Sequence, residues 1–334
     1  MKVGLVGAGL QGQRRARALR EFDDTSLVIA ADVDEARANL LAGEMGCQVT
    51  TDWAEVVKRE DVEAVIICTP PHLHGSITIE ALKGGKHVLC EKPLALSPEE
   101  GKKITGIAQE NGLKLKCGFN LRHHPGIRQA QRWLEDGTIG EPMFLRCRYG
   151  IGGRPGYEKE WRMNPEISGG GELMDQGMHA LDLARWFLGD FTEASGLLQT
   201  AYWNIAPLED NAFALLRTEK GKVASIHVSW TQWKNVFSLE VFGRDGYTAV
   251  EGLGGSYGVE KAILGKRAFL KPFEEEVIES RGEDRSWYEE WKEFSDAIKE
   301  NREPMGNGGD GLEALKLARA IYESARKGSM VRIE

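Results

Sequence analysis

The stretch from Lys2 to Asp32, KVGLVGAGLQGQRRARALREFDDTSLVIAAD, decides the reading of the fold. It opens with a short apolar run, Lys2 to Val6, and turns through Gly7-Ala8-Gly9-Leu10-Gln11-Gly12. A helix-like stretch follows from Gln11 to Phe22, and the apolar run Leu27 to Ala31 leads into Asp32. A strand, a G-x-G-x-x-G turn, a helix and a second strand ending in an acidic residue 20 positions past the last glycine form a dinucleotide-binding βαβ fingerprint. Gly7 would permit the tight turn, Gly9 would let the backbone approach a pyrophosphate, and Gly12 would let helix and strand pack closely. Leu10 and Gln11 open the helix, whose free N–H groups and partial positive charge suit phosphates. A carboxylate at Asp32 would accept hydrogen bonds from both ribose hydroxyls of the adenosine and would repel a 2′-phosphate, which favours NAD over NADP.

Outward from this unit the same rhythm continues. A helix is predicted over Glu35 to Met45 and another over His74 to Lys83, the latter between apolar runs at Ala64 to Cys68 and Lys86 to Cys90. Such alternation implies a parallel sheet with helices on both faces and ligands at the carboxyl ends of its strands. After about Asn120 the pattern changes. Met143 to Ile151, Glu193 to Tyr202, Asn211 to Thr218, Lys222 to Thr231, Val236 to Phe242 and Tyr247 to Glu251 read as strands, joined by turns such as Lys220-Gly221 and Asp245-Gly246. Two helices close the chain, one carrying Trp287, Trp291, Phe294 and Ile298 on one stripe and one from about Gly311 to Arg326. The expected fold is therefore an α/β Rossmann domain with a parallel sheet over residues 1–120. An α+β domain with an open, mostly antiparallel sheet follows over 121–334, its closing helices able to pack back on the first domain.

The 334 residues, 41% hydrophobic and 28% charged, have the balance of an ordinary globular protein. Forty-three basic residues against 51 acidic ones give a net charge of −8, which argues against a nucleic-acid partner. No stretch approaches a membrane span, and the first residues lack an export signal, so a cytoplasmic protein is expected. Cys47, Cys68, Cys90, Cys117 and Cys147 are an odd, widely spaced set, read as reduced thiols. His72-x-His74 and His123-His124 lack companions at ligand spacing, so no metal is expected.

Two further motifs carry a resemblance. Cys68-Thr69-Pro70-Pro71-His72-Leu73-His74 is followed, after one helix, by Lys86-His87-Val88-Leu89-Cys90-Glu91-Lys92-Pro93. Later come Gly118-Phe119-Asn120-Leu121-Arg122, Trp161-Arg162 and Gly169-Gly170-Gly171-Glu172-Leu173-Met174-Asp175-Gln176-Gly177-Met178-His179. With the amino-terminal fingerprint these resemble the glucose–fructose oxidoreductase, inositol dehydrogenase and rhizopine catabolism (Gfo/Idh/MocA) family over essentially the whole chain. Pro71 departs from the asparagine more usual at its position. The resemblance implies an NAD-dependent dehydrogenase acting on a sugar, cyclitol or nucleotide sugar. It implies Thr69, Pro70, His74, Glu91 and Lys92 beside the cofactor, and Asn120, Arg122, Trp161, Arg162, Asp175 and His179 beside the substrate. A homodimer or homotetramer is expected.

Oxidation of a secondary alcohol needs a group to take the hydroxyl proton while hydride leaves for the nicotinamide. Lys92, just past an apolar strand, can polarise the oxygen, and Pro93 would fix the chain's exit. Asp175 and His179, four positions apart in a helical stretch, would share a face, the aspartate orienting an acid–base histidine. Gly177 between them is costly within a helix and suggests a close approach to the backbone. Arg122, His123, Arg154 and Arg162 form a cluster able to host an anionic group. Trp203, Trp230 and Trp233 read as core or subunit-interface residues more than as a sugar platform. Two other functions share these motifs: glycoside cleavage through a transient keto sugar, and a non-catalytic dinucleotide sensor.

Overall fold

A computed structural model describes residues 1–333. The chain forms two units, Met1–Asn120 with Ser286–Leu315 and Leu121–Arg285 with Lys316–Glu334.

In the first unit six strands, β1 (Lys2–Val6), β2 (Ser26–Ala31), β3 (Gln48–Thr50), β4 (Ala64–Ile67), β5 (His87–Glu91) and β6 (Leu115–Gly118), form a sheet in the order β3-β2-β1-β4-β5-β6. All neighbours are parallel. Helices α1 (Leu10–Leu19), α2 (Glu35–Met45), α3 (Trp53–Lys58), α4 (His74–Lys83) and α5 (Pro98–Glu110) make the crossovers. The local signals that start and stop them are ordinary. The Asp34 side chain accepts from the Ala36 and Arg37 N–H groups at the start of α2, and Gly46 ends it in the left-handed region at φ 69°. Ser97 caps α5 ahead of Pro98, Glu99 and Glu100.

Strand order decides where a ligand can lie. The chain leaves β1 toward β2 and β3 on one side and resumes with β4 on the other, so the loops after β1 and β4 diverge at a topological switch point. Gly7 follows β1, Cys68 and Thr69 follow β4, and Lys92 follows β5, all at the carboxyl edge. Below them Val3, Leu5, Ile66 and Leu89 pack with Trp291 and Phe294 of a later helix, α9 (Ser286–Lys299 in chain order), in one apolar cluster.

The second unit holds α6 (Pro125–Glu135), α7 (Pro165–Ser168) and α8 (Gly177–Leu188), with strands β7 (Pro142–Gly150), β8 (Phe191–Gln199), β9 (Asn211–Thr218), β10 (Val223–Ser229), β11 (Val236–Gly243), β12 (Gly246–Glu251), β13 (Glu260–Lys266), β14 (Glu275–Ser280) and β15 (Val331–Arg332). They form one sheet in the order β14-β13-β12-β11-β7-β10-β9-β8-β15. Only β7 and β10 pair in parallel; the other neighbours are antiparallel. The almost wholly buried α8 packs on β7 and β10. A last helix, α10, spans Gly308–Lys327.

The structure adds strands that the sequence pattern did not predict. β14, EEVIES, is exposed at nearly every position and has no apolar face to read. β3 and β15 are three and two residues long, too short for a period.

Candidate active site

The glycine loop divides its three glycines by physical duty. Gly7 sits at φ +96°, and a β-carbon there would come within 2.6 Å of the Cys68 backbone and 2.8 Å of the Thr69 nitrogen. A β-carbon on Gly12 would collide with the carbonyl oxygen of Gly7. Gly9 has no heavy atom within 4 Å of that position, so its outer side is open. Gly9 is also the N-cap of α1, with no side-chain hydrogen bond to the cap and no acidic residue in the first turn. The helix therefore presents unclaimed backbone donors toward that open side.

Asp32 closes this arrangement from β2. Its Oδ2 accepts from Ala8 N at 2.7 Å and its Oδ1 from Asp34 N at 2.9 Å, so the carboxylate is fixed beside the loop. Leu10 is 64% and Val33 is 88% exposed, two apolar side chains left uncovered next to Gly9 and Asp32. Gln11 Oε1 and Thr69 Oγ1 are buried without a hydrogen-bond partner. Open glycine, unclaimed donors, a fixed carboxylate and orphaned polar atoms fit a dinucleotide with phosphates at Gly9 and ribose hydroxyls at Asp32.

The second and third strand-end motifs are joined to each other. His74 opens α4 and is 1% exposed, its Nδ1 2.7 Å from the Pro93 carbonyl oxygen and its Nε2 2.8 Å from that of Thr69. Each ring nitrogen faces a backbone carbonyl, a neutral ring donating to one of them and a protonated ring to both, so His74 sits between two loops where the motif alone suggested a cofactor contact. Burial lowers its pKa, against the two carbonyls, which favour the protonated ring. Glu91 Oε1 is 2.6 Å from Arg15 Nε. Lys92 follows half-buried, and the Lys92–Pro93 peptide bond is cis.

In the second unit, α8 begins at Gly177 with Gln176 as its N-cap, so Asp175 lies in the preceding turn and the expected shared helix does not include it. The turn is nearly helical: Asp175 N donates to Gly171 O at 3.1 Å and Gly177 N to Glu172 O at 2.9 Å. Gly177 is consequently a first-turn residue and carries no mid-helix penalty. What approaches it is protein, with Leu173, Glu172 and Val228 atoms 3.0–3.3 Å from a β-carbon built there. His179 lies in the first turn of α8, 7% exposed, with its ring edge-on to Tyr149 at 6.3 Å. Asp175 is half-buried and stands 3.4 Å from Arg162 Nε.

The basic cluster drawn from the sequence does not survive as one site. Arg122 is 3% exposed and forms a bidentate pair with Asp182, Nε to Oδ2 at 2.8 Å and Nη2 to Oδ1 at 2.6 Å. Arg154 pairs with Glu160 at 2.5 Å, and Arg162 reaches Glu160 at 3.3 Å while its guanidinium lies 4.5 Å from the Trp161 ring centre. These cations are balanced by acidic neighbours, which removes the basis for an anion site at this cluster. Asn120, 9% exposed, donates Nδ2 to Ser286 Oγ at 2.8 Å, a link to the start of α9. Trp230 is buried with Tyr157 and Trp203, whereas Trp233 is 63% exposed.

Residues 1–119 match the oxidoreductase family with an NAD-binding Rossmann fold, GFO_IDH_MocA, and residues 127–249 match the GFO/IDH/MocA C-terminal domain. The chain belongs to the Gfo/Idh/MocA family. Among its members, inositol 2-dehydrogenase of Rhizobium meliloti is 29% identical over 338 residues, covering 100% of this chain and 99% of that protein. Levoglucosan dehydrogenase of Pseudarthrobacter phenanthrenivorans is 31% identical over 232 residues, 66% of this chain and 59% of that protein, so the chain spans under two thirds of this relative in sequence. The fold of a levoglucosan dehydrogenase solved in complex with NADH superposes with a TM-score of 0.91 at 24% identity, covering 100% of this chain and 99% of that one.

Against the motifs that place the chain in the Gfo/Idh/MocA family, the structure adds groups that sequence reasoning missed. Gln176 donates Nε2 to the Tyr257 hydroxyl at 3.1 Å beside Tyr149, whose ring lies 5.7 Å from that of Tyr257. Burial raises the pKa of both phenols, keeping them protonated. Arg15 was legible in principle: with Gly12, Ala16 and Leu19 it lies on the buried stripe of α1, where an arginine needs partners.

Proposed function

We propose that this protein transfers a hydride between NAD and a secondary alcohol or ketone on a sugar or cyclitol ring, with Lys92, Asp175 and His179 as its catalytic residues. The observation that carries the reading is the glycine loop: Gly9 open above an uncapped helix start, with Asp32 fixed beside it, in a chain whose Gfo/Idh/MocA motifs include Glu91-Lys92-Pro93 and Asp175-x-x-x-His179.

NAD, when bound, supplies the hydride acceptor or donor. Gly9, Leu10 and Gln11 would face its phosphates on a loop shaped by Gly7 and Gly12, Asp32 would hold its adenosine ribose, and Thr69, Pro70 and Glu91 would flank its other half. The Lys92 ammonium polarises the substrate oxygen and stabilises negative charge developing there. His179 exchanges the hydroxyl proton, and Asp175 orients its ring or holds a neighbouring substrate hydroxyl. Trp161 and Arg162 contribute to the sugar site through Arg162, which reaches Asp175. Asn120 and Arg122 act indirectly, since each is committed to a protein partner.

The test is single-turnover hydride transfer with myo-inositol and levoglucosan as first substrates, alongside calorimetric NAD binding. Lys92→Met and His179→Ala are each expected to lower the rate by about 10²- to 10⁴-fold with NAD affinity nearly native. Asp175→Asn is expected to cost less, because an amide still holds a hydrogen bond. Near-native transfer in the first two variants sinks the assignment. Product formed without net NADH would favour keto-sugar glycoside cleavage instead.

Copies of the chain associate as a homodimer or homotetramer through the open sheet face. Leu197, Phe213 and Leu215, 73%, 41% and 51% exposed, lie there on adjacent strands, with Leu197 opposite Phe213 in register. Light scattering that returned a monomer at micromolar concentration would count against this. An enzyme that draws on the NAD pool belongs in the cytoplasm, to be checked by fractionation; no helix among the described residues is long and apolar enough to cross a membrane.

A further inference from the structure

Lys92 is bracketed by two buried contacts. On its amino side, Glu91 ends β5 with Oε1 2.6 Å from Arg15 Nε, and Arg15 Nη1 donates to Glu290 Oε2 on α9 at 2.8 Å. On its carboxyl side, the Pro93 carbonyl lies 2.7 Å from His74 Nδ1, and the same ring reaches the Thr69 carbonyl at 2.8 Å. Arg15 is 3% and His74 1% exposed.

Neither group is what packing alone would choose. Arg15 occupies the buried stripe of α1, where a leucine or methionine would avoid removing one cation and two carboxylates from water. Burial works against its charge, but Glu91 and Glu290 outweigh that and hold its pKa above the ordinary value. The surroundings are built for it: β6 carries Gly118, where a β-carbon would stand 2.7 Å from Arg15 Nη2 and 2.9 Å from Glu91 Oε2. Beyond Glu290 stands Lys116, fully buried on the same strand, and Cys68 faces the guanidinium from the end of β4.

A buried guanidinium supplies direction where an apolar residue would not, because its planar fork fixes the angle between the groups it bridges. Here it bridges α1, the helix that starts at the glycine loop, to the strand end that carries Lys92. His74 does the same from the other side, tying the residue after Lys92 to the loop that touches Gly7. We propose that Arg15 and His74 are positioning residues, a two-sided clamp that fixes Lys92 relative to the glycine loop. The inference rests on the assignment of Lys92 made above.

The full-length protein is tested with two readouts. Acetylation of Lys92 by acetic anhydride, followed by mass spectrometry, needs no substrate; kcat and KM for NAD-linked turnover of myo-inositol or levoglucosan form the second. Arg15→Met and His74→Phe are expected to change the Lys92 acetylation rate by about threefold or more and to lower kcat by about 10²-fold, with KM for NAD within about threefold. Arg15→Lys keeps the charge and one carboxylate partner and is expected to regain about tenfold of the lost kcat. If Arg15→Met does not fold, Arg15→Lys and Glu290→Gln carry the comparison. Native acetylation and native kcat in folded clamp variants overturn the proposal. Turnover retained in Lys92→Met would overturn the catalytic assignment and the clamp's part in catalysis, while the acetylation rates would still report whether the clamp holds Lys92. If neither test substrate turns over, the acetylation rates alone decide.

Discussion

Gly9 and Gly12 sit three positions apart, one the N-cap of α1 and the other in its first turn, yet alanine at each should fail for opposite reasons. Gly9 has φ −66° and ψ −170°, an extended conformation open to alanine, and nothing lies within 4 Å of the added carbon. Alanine is the poorer N-cap, at a cost on the order of 1 kcal/mol. Removing glycine's freedom from the unfolded chain returns about 0.4–1 kcal/mol. These offset, so Gly9→Ala should fold with stability within about 1 kcal/mol of native. Its methyl group, however, points into the open side where the phosphates must approach. Displacing one charge-assisted hydrogen bond costs about 1.5–3 kcal/mol, so NAD affinity should fall about 10- to 10²-fold.

Gly12→Ala behaves the other way. Inside a helix alanine is normally worth about 1 kcal/mol over glycine, but here its β-carbon would meet a backbone carbonyl that cannot rotate aside. A net loss of about 1–3 kcal/mol is expected from the forced shift of α1 against the loop. Urea unfolding and calorimetric NAD titration on both variants make the assay. Native NAD affinity in Gly9→Ala would refute the phosphate assignment, and native stability in Gly12→Ala would refute the packing argument.

Three other outcomes are expected. NAD should bind more tightly than NADP, with Asp32→Ser narrowing the gap; tighter NADP binding in calorimetry would overturn the role of Asp32. Arg122→Met should cost about 3–5 kcal/mol in urea unfolding because it takes a bidentate guanidinium away from the buried Asp182 carboxylate, whereas Arg122→Met with Asp182→Leu should recover most of that loss. Asp210 is buried, which would raise its pKa, but the N–H groups of Ala201, Tyr202 and Trp203 and the Asn211 amide outweigh this and hold it below the ordinary value. Its contribution is therefore present above the unfolded pKa of about 3.9 and is lost as pH falls through the lower folded value. The melting temperature of Asp210→Asn should depend less steeply on pH between about 5 and 3 than that of the native protein; parallel curves would count against the assignment.

The cofactor half of the molecule was legible because its determinants are local. A glycine at positive φ, a helix start three residues later and an acidic residue at the end of the next strand lie within one βαβ unit, so their spacing can be read along the chain without knowing what packs against it. The alternating strands and helices gave the sheet for the same reason, and β14, with no alternation, was invisible. Tertiary structure decided the rest. Arg122 has the sequence of a substrate contact, but Asp182, 60 positions later, takes its guanidinium; His74 stands in a cofactor-side motif, but its ring lies between two backbone carbonyls; Arg15 falls on the buried stripe of α1, but only the fold brings Glu91 and Glu290, 76 and 275 positions away, onto it. A turn or a helix cap is settled by neighbours in the chain, whereas the partner of a long charged side chain is settled by whichever distant element packs against it, and no local pattern encodes that choice.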